Sequence, residues 1–244
     1  VSVLLAACGA YVAKHGNRSI TSQSGSADVL EYLGVKLEMS LENSARLLEE
    51  TGFTFLFAQY HHPAMKFIMP IRRSIPEKTI FNILGPLTNP VGLSKILLGV
   101  FDEVFVPKMA EAARELGMES AIVVSSREKM DEVSISDITY AAQLKQGKIN
   151  YFEIDPESLG IKKAPLEAIL GGDKVKNAAI FRDVLNNRST DAQRDMVLIN
   201  TAYALIADGA ARDVQEGLEI ARDGLLSGKA SQKLDQIISI SSKL

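Results

Sequence analysis

Short apolar runs alternate with amphipathic stretches along much of the chain. The runs at 53–58, 96–100 and 121–124 have the length of buried strands. The stretch 106–116 has apolar residues at helical spacing and ends at Gly117. A strand, a helix and a second strand in this order form a βαβ unit, whose two strands are parallel. The pattern therefore predicts an α/β fold with a mostly parallel central sheet flanked by helices.

Helices and one hairpin account for most of the remaining pattern. Residues 1–9 resemble the end of a helix, and 10–14 form a short predicted strand. Serines at the start and glycines just past the end predict helices at 24–33 and 40–51. The pattern next predicts a hairpin of 140–144 and 150–154 through Gly147. From residue 171 the chain is predicted to be helical, with helices at 172–187, 190–208, 213–227 and 229–242.

Composition excludes several classes of protein. The 244 residues include one Cys and carry a net charge of -3. A single Cys allows no disulfide within the chain and is typical of a reducing, cytoplasmic setting. The chain lacks the basic character of nucleic-acid and membrane-surface proteins. The apolar run at 1–13 lacks a cationic leader, so a buried helix and strand is a better interpretation than a signal peptide.

One polar stretch between a predicted strand and a predicted helix could bind an anion. Residues 14–26 include Lys14, His15, Arg18 and four serines. Free N–H groups at a helix start, hydroxyl donors and fixed cations together favour phosphate. The alternative is a polar surface loop with an ordinary Ser cap, and the residues alone leave both open.

Two further sets of charges are candidates for ligand binding. Arg72 and Arg73 are adjacent, so one guanidinium could face a cleft and hold two oxygens of a carboxylate or phosphate. The alternative is a solvated helix end. Asp131 and Glu132 follow a predicted strand and could share Mg²⁺, which takes one or two carboxylates. Alone, such a pair is more often plain surface charge.

Four strings in one order resemble the anthranilate phosphoribosyltransferase family. They are KHGNRSITSQSGSADVLEYLGV, HHPAMKFIMPIRRS, TIFNILGPLTNP and MDEVSIS. The resemblance implies transfer of phosphoribose from phosphoribosyl pyrophosphate (PRPP) to the amine of anthranilate, in tryptophan biosynthesis. It also implies Mg²⁺, a homodimer, association with anthranilate synthase components, and a helical domain beside the α/β domain.

The resemblance also assigns site residues by position. Asn17 and Arg72 are the implied anthranilate contacts, and Asp131 and Glu132 are the implied Mg²⁺ ligands. No residue is assigned as an acid or base. The implied PRPP-binding residues are Lys14, His15, Gly16, Asn17, Arg18, Ser19, Ser22 and Ser26.

Some family motifs do not occur in the 244 residues. The Gly-Thr-Gly-Gly-Asp pyrophosphate loop and the Asn-Ile-Ser-Thr segment usually precede the point where this sequence begins. We therefore expect residues 1–244 to be the C-terminal α/β domain with a remnant of the helical domain, and to be weakly active or inactive alone. Alternatives are a pyrimidine nucleoside phosphorylase-like enzyme and a non-catalytic nucleic-acid-binding relative of the same fold. The TIFNILGPLTNP string favours the transferase over the phosphorylase.

Overall fold

Helices and strands alternate through the first two thirds of the chain, and helices follow. The computed structural model describes residues 1–18, 23–61, 80 and 83–244. The described strands are β1 (Val12–Gly16), β2 (Phe53–Phe57), β3 (Lys95–Gly99), β4 (Ser120–Ser126), β5 (Thr139–Lys145) and β6 (Lys148–Ile154). The described helices are α1 (Ser2–Ala7), α2 (Ser26–Tyr32), α3 (Leu41–Thr51), α4 (Ala58–His61), α5 (Val106–Glu115), α6 (Lys174–Leu185), α7 (Asp191–Asp208), α8 (Val214–Leu226) and α9 (Lys229–Ser241).

The strands of the described residues form two sheets. Strands β1 and β2 are a parallel pair, and the second sheet has the order β3-β4-β5-β6. Strands β3 and β4 are parallel, as the predicted βαβ unit requires, whereas β4, β5 and β6 are antiparallel. The hairpin turns at Gln146 and Gly147, both with positive φ, which suits the twist of a two-residue turn. The predicted α/β class with helices flanking the sheet is confirmed. The four-stranded sheet is mixed and not mostly parallel, because the β5–β6 hairpin adds two antiparallel pairs.

Helices cover both faces of the four-stranded sheet. Side chains alternate along β4, so Val123 packs with Met109 of α5, while Ile122 and Val124 belong to the larger core. Helix α7 contributes Ile199 and other buried residues to that larger core. The sheet is therefore a middle layer, with α5 on one side and α7 on the other.

The helix ends agree with the signals in the sequence. Ser40 Oγ accepts a hydrogen bond from Asn43 N, and Gly52 ends α3 with a left-handed φ of 72°. Asp213 caps α8 by accepting from Glu216 N at 3.0 Å. These contacts satisfy backbone groups that a helix end leaves without a partner. Among the described residues, no helix is both long and apolar enough to cross a membrane.

The first strand lies two residues further along the chain than predicted. The prediction was 10–14, but β1 is Val12–Gly16. Gly9, with a φ of 100°, follows the end of α1, and pairing begins where Val12 N donates to Gly52 O at 2.8 Å. His15 and Gly16 are consequently in the sheet, and the polar stretch that follows them is shorter than the sequence indicated.

Candidate functional site

A cavity of about 620 Å³ is lined by both sheets. Strand β1 contributes Lys14 and His15, and strand β3 contributes residues 95–99. Asp131 and Glu132 line it from the connection between β4 and β5, which we call the acidic loop (residues 127–138). The structure thus brings predicted cationic and acidic site residues to one cavity.

Two of the sequence motifs are in contact beside this cavity. The His15 Nδ1 atom lies 3.2 Å from the carbonyl oxygen of Gly85, in the short 3₁₀ helix Gly85–Thr88. Asn89 Nδ2 donates to the carbonyl oxygen of Ala13 at 2.9 Å. Residues 85–89 of the NILGPLTNP string therefore support the strand that carries Lys14.

Gly16 ends β1, and Asn17 begins the polar segment that follows it. A Cβ on Gly16 would lie 2.9 Å from the Phe55 ring, so this packing requires glycine. Asn17 Oδ1 accepts from Arg18 N at 2.9 Å and from Gln59 Nε2 at 3.2 Å. The Asn17 side chain is thus held by two donors. Its predicted contacts with PRPP and anthranilate stay predictions.

Arg18 faces acidic partners of the protein. Its Nε and Nη2 atoms donate to the two carboxylate oxygens of Glu31 at 3.0 and 2.6 Å, and Nη2 also reaches Glu38 at 3.3 Å. The guanidinium lies 4.7 Å from the centre of the Phe57 ring. The hydrogen bond to Glu31 is the main cause that raises the pKa of Arg18. Arg18 is not among the residues that line the cavity, and its predicted PRPP contact remains a prediction.

Opposite charges influence one another across the cavity. Solvent in the cavity reaches Glu132, but the surrounding protein withdraws its carboxylate from bulk water and raises its pKa. Asp131 raises that pKa further, whereas the Val1 ammonium and Lys14 oppose the shift. Desolvation lowers the pKa of Lys14, and the two carboxylates act against that change. A cation between the carboxylates would relieve their repulsion.

The acidic pair fits a magnesium ion that completes its shell with phosphate oxygens and water. Mg²⁺ uses one or two protein carboxylates in such sites. Over the described parts of the chain, no set of three His, Cys, Asp or Glu residues is placed to hold a metal alone. The donor set is therefore adequate for a cation carried with a phosphorylated substrate, and not for an all-protein cage.

Two residues outside the predicted set fix the acidic loop. A Cβ on Gly99 would lie 1.5 Å from the carbonyl oxygen of Asp131, so the loop crosses β3 where no side chain is present. Asn200 of α7 exchanges hydrogen bonds with the backbone of Val133 at 2.9 and 2.8 Å. The sequence signal for Asn200 was a polar residue within an apolar helix, which predicts burial with a partner but not which partner.

The remaining predicted site residues either are not among those that line the cavity or lie outside the described residues. Ser26 is exposed at the first position of α2, and its Oγ is 3.7 Å from the place of a Cβ on Gly16. Ser19, Ser22 and Arg72 lie outside the described residues, as does Arg73. Their predicted contacts stay predictions.

Comparison with known proteins identifies the family. Residues 1–231 match the model of the glycosyl transferase family, a/b domain. Anthranilate phosphoribosyltransferase of Rubrobacter xylanophilus is 43% identical over 236 residues, covering 97% of this chain and 69% of that protein. The chain belongs to the anthranilate phosphoribosyltransferase family. The resemblance inferred from the four motifs is confirmed.

Solved structures of anthranilate phosphoribosyltransferases have the same fold. The enzyme from Thermus thermophilus superposes with a TM-score of 0.93 at 38% identity, covering 99% of this chain and 71% of that one. The enzyme from Saccharomyces cerevisiae in complex with PRPP and Mg superposes with a TM-score of 0.89 at 28% identity, covering 100% and 69%. This family member therefore shares its fold with an enzyme that binds PRPP and Mg.

Proposed function

We propose that the chain carries the site that transfers a phosphoribosyl group from PRPP to the amine of anthranilate, in tryptophan biosynthesis. The single observation that carries the proposal is the position of Asp131 and Glu132 beside Lys14 in one cavity of a family member. A carboxylate pair with a facing ammonium suits a magnesium-bound pyrophosphate. Mg²⁺, when bound, would neutralise charge on the leaving phosphate oxygens.

The chain's own residues perform binding and alignment in this proposal. Lys14 donates from its ammonium to phosphate oxygens, and His15, Gly16, Asn17, Arg18 and Ser26 form the neighbouring PRPP surface. The aromatic amine of anthranilate is neutral at pH 7, so no strong base is needed to create the nucleophile. Catalysis then comes from holding the amine in line with the ribose C1 and from fixed charge. Asn17, with Arg72, is the proposed anthranilate contact.

Calorimetric titration of the chain with PRPP in the presence of Mg²⁺ tests the site. We expect binding by the unmodified chain and at least tenfold weaker binding by Glu132→Gln, because one ligand of the cation is lost. Glu119→Gln is the control: it removes an exposed carboxylate at the opposite end of β4. Absence of Mg²⁺-dependent PRPP binding, or equal binding by both variants, would contradict the proposed site.

Loss of anthranilate fluorescence in the presence of PRPP and Mg²⁺ tests the reaction. We expect slow formation of N-(5-phosphoribosyl)anthranilate that requires both PRPP and Mg²⁺. Phosphate-dependent cleavage of a pyrimidine nucleoside would instead favour the phosphorylase alternative. A mobility shift with single-stranded DNA at moderate salt would favour the nucleic-acid-binding alternative.

The proposal also includes the oligomeric state, a protein partner and the cellular location of the enzyme. The family resemblance supports a homodimer, association with anthranilate synthase components and a cytoplasmic location. Sedimentation equilibrium gives the mass of the assembly, and a mass equal to one chain would contradict the homodimer.

A further inference from the structure

Asn200 is a buried polar residue to which the proposed reaction assigns no role. It lies on α7, is 3% exposed, and is among the residues that line the cavity. Its Oδ1 accepts from Val133 N at 2.9 Å, and its Nδ2 donates to Val133 O at 2.8 Å. Nδ2 also donates to Met196 O at 2.9 Å, one turn earlier. One side chain therefore satisfies both backbone groups of the residue that follows Glu132.

The other side of the acidic loop is held by a close backbone contact. The carbonyl of Asp131 lies so near Gly99 that a Cβ there would be 1.5 Å from its oxygen. Beyond Val133, Ser134 N donates to Thr139 Oγ1 at 2.9 Å, and Ser134 Oγ donates to Glu128. The two carboxylates thus lie between a contact with β3 and a two-bond contact with α7.

We propose that Asn200 is a positioning residue that holds Asp131 and Glu132 for cation binding by fixing the backbone at Val133. The inference rests on the proposed function, because it concerns the same acidic pair. Residues that orient metal ligands without touching the metal typically change metal affinity about tenfold to 100-fold. Removing the Asn200 amide leaves a buried N–H and C=O at Val133 without their partners, so the loop must move or admit water.

The variant Asn200→Ser isolates this contact. A serine hydroxyl can donate to the carbonyl four residues earlier, as Thr201 Oγ1 does to Val197 O at 2.7 Å, but it is too short to bridge both groups of Val133. Thr201→Val is the matched control, since it removes a buried hydrogen bond of the same helix that does not involve the acidic loop. Asn200→Asp keeps an acceptor for Val133 N but loses the donor to Val133 O, and it serves if Asn200→Ser does not fold.

Two measurements test the proposal, with Mn²⁺ plus PRPP as the probe. We expect hydrogen exchange of the 127–138 amides to accelerate at least tenfold in Asn200→Ser, with β4 unchanged. The Mn²⁺ dissociation constant should rise at least tenfold. It is taken from the electron paramagnetic resonance of free Mn²⁺, after subtraction of the Mn²⁺ that PRPP binds without protein. Thr201→Val should change neither the exchange rate of the 127–138 amides nor the Mn²⁺ dissociation constant. This holds even if its melting temperature falls as far as that of Asn200→Ser.

The possible failures are distinguishable. Unchanged exchange in the acidic loop of Asn200→Ser, or faster exchange with unchanged Mn²⁺ affinity, would overturn the positioning role and leave the proposed function intact. If the unmodified chain binds no Mn²⁺ in the presence of PRPP, the proposed function fails, and the positioning role fails with it.

Discussion

Glu132 shows how a single residue can be unfavourable for folding and suited to binding. Its pKa in the folded chain is raised by desolvation and by Asp131. An acid with a raised folded pKa binds its proton more tightly when folded, so stability falls as pH rises from the unfolded pKa of about 4.5 through the folded one. Glu132→Gln removes this loss, because the amide does not ionise.

We therefore expect Glu132→Gln to melt at a higher temperature than the unmodified chain at pH 8 without divalent cations, and the two to converge near pH 4. Melting curves by circular dichroism across this range provide the measurement. Glu119→Gln should show no such pH-dependent gap. If Glu132→Gln melted at a lower temperature than the unmodified chain at pH 8, the pKa of Glu132 would be lowered and not raised.

Cys8 gives a second prediction at this scale. Desolvation is the main cause that raises the pKa of its thiol to about 11, and Sγ lies 3.6 Å from the carbonyl oxygen of Ile220. Only the thiolate reacts readily with alkylating reagents. Relative to a thiol with the ordinary value of 9.0, we expect iodoacetamide at pH 8 to react roughly 100-fold more slowly, from the thiolate fractions alone. Mass spectrometry of folded and guanidinium-unfolded protein measures the ratio, and equal rates would contradict the shift.

Individual site residues were only partly predictable from the sequence. Lys14, Asp131 and Glu132 were candidates because their charges lie near predicted strand ends, and the family motifs then assigned their roles. Gly99 and Asn200 were missed because their importance comes from contacts with residues more than 30 positions away. A glycine or a buried amide has no local signal that names its partner.

The packing of α7 against α8 depends on a glycine. A Cβ on Gly217 would lie 2.9 Å from Ala202 O and 3.0 Å from Ala202 Cβ. Gly217→Ala must therefore separate the helices, although alanine favours helix by itself. We expect a net loss of about 1–3 kcal/mol in the free energy of unfolding, typical of overpacking. Urea unfolding measures it. Glu219→Ala, at an exposed position of the same helix, should change stability by less than about 0.5 kcal/mol, and an equal loss there would contradict the argument.

Elements were more predictable than residues. Helix limits followed from caps such as Ser40 and Asp213, which act within one turn of chain. The start of β1 could not be predicted in this way, because it depends on the hydrogen bond between Val12 N and Gly52 O, 40 positions later. The split into two sheets was likewise outside the sequence pattern, since hydrophobic periodicity describes a strand and not its neighbours.

At the scale of the molecule, the cavity couples the two sheets through charge. Lys14 belongs to β1 of the two-stranded sheet, whereas Glu132 follows β4 of the four-stranded sheet, and each favours the charged form of the other. Lys14→Met and Glu132→Gln should therefore not be additive in the free energy of unfolding. We expect a coupling of about 0.5 kcal/mol or more at pH 7, at the low end for interacting pairs because solvent reaches Glu132.

A double-mutant cycle by urea unfolding measures this coupling. Pairing Lys14→Met with Glu119→Gln provides the control cycle, which should be additive within about 0.3–0.5 kcal/mol because Glu119 lies at the other end of β4. Mg²⁺ with PRPP should stabilise the unmodified chain more than either single variant, since a ligand that binds only the folded state stabilises it by mass action. Additivity in the first cycle would contradict the coupling and would mean that Lys14 and Glu132 contribute independently to the free energy of unfolding.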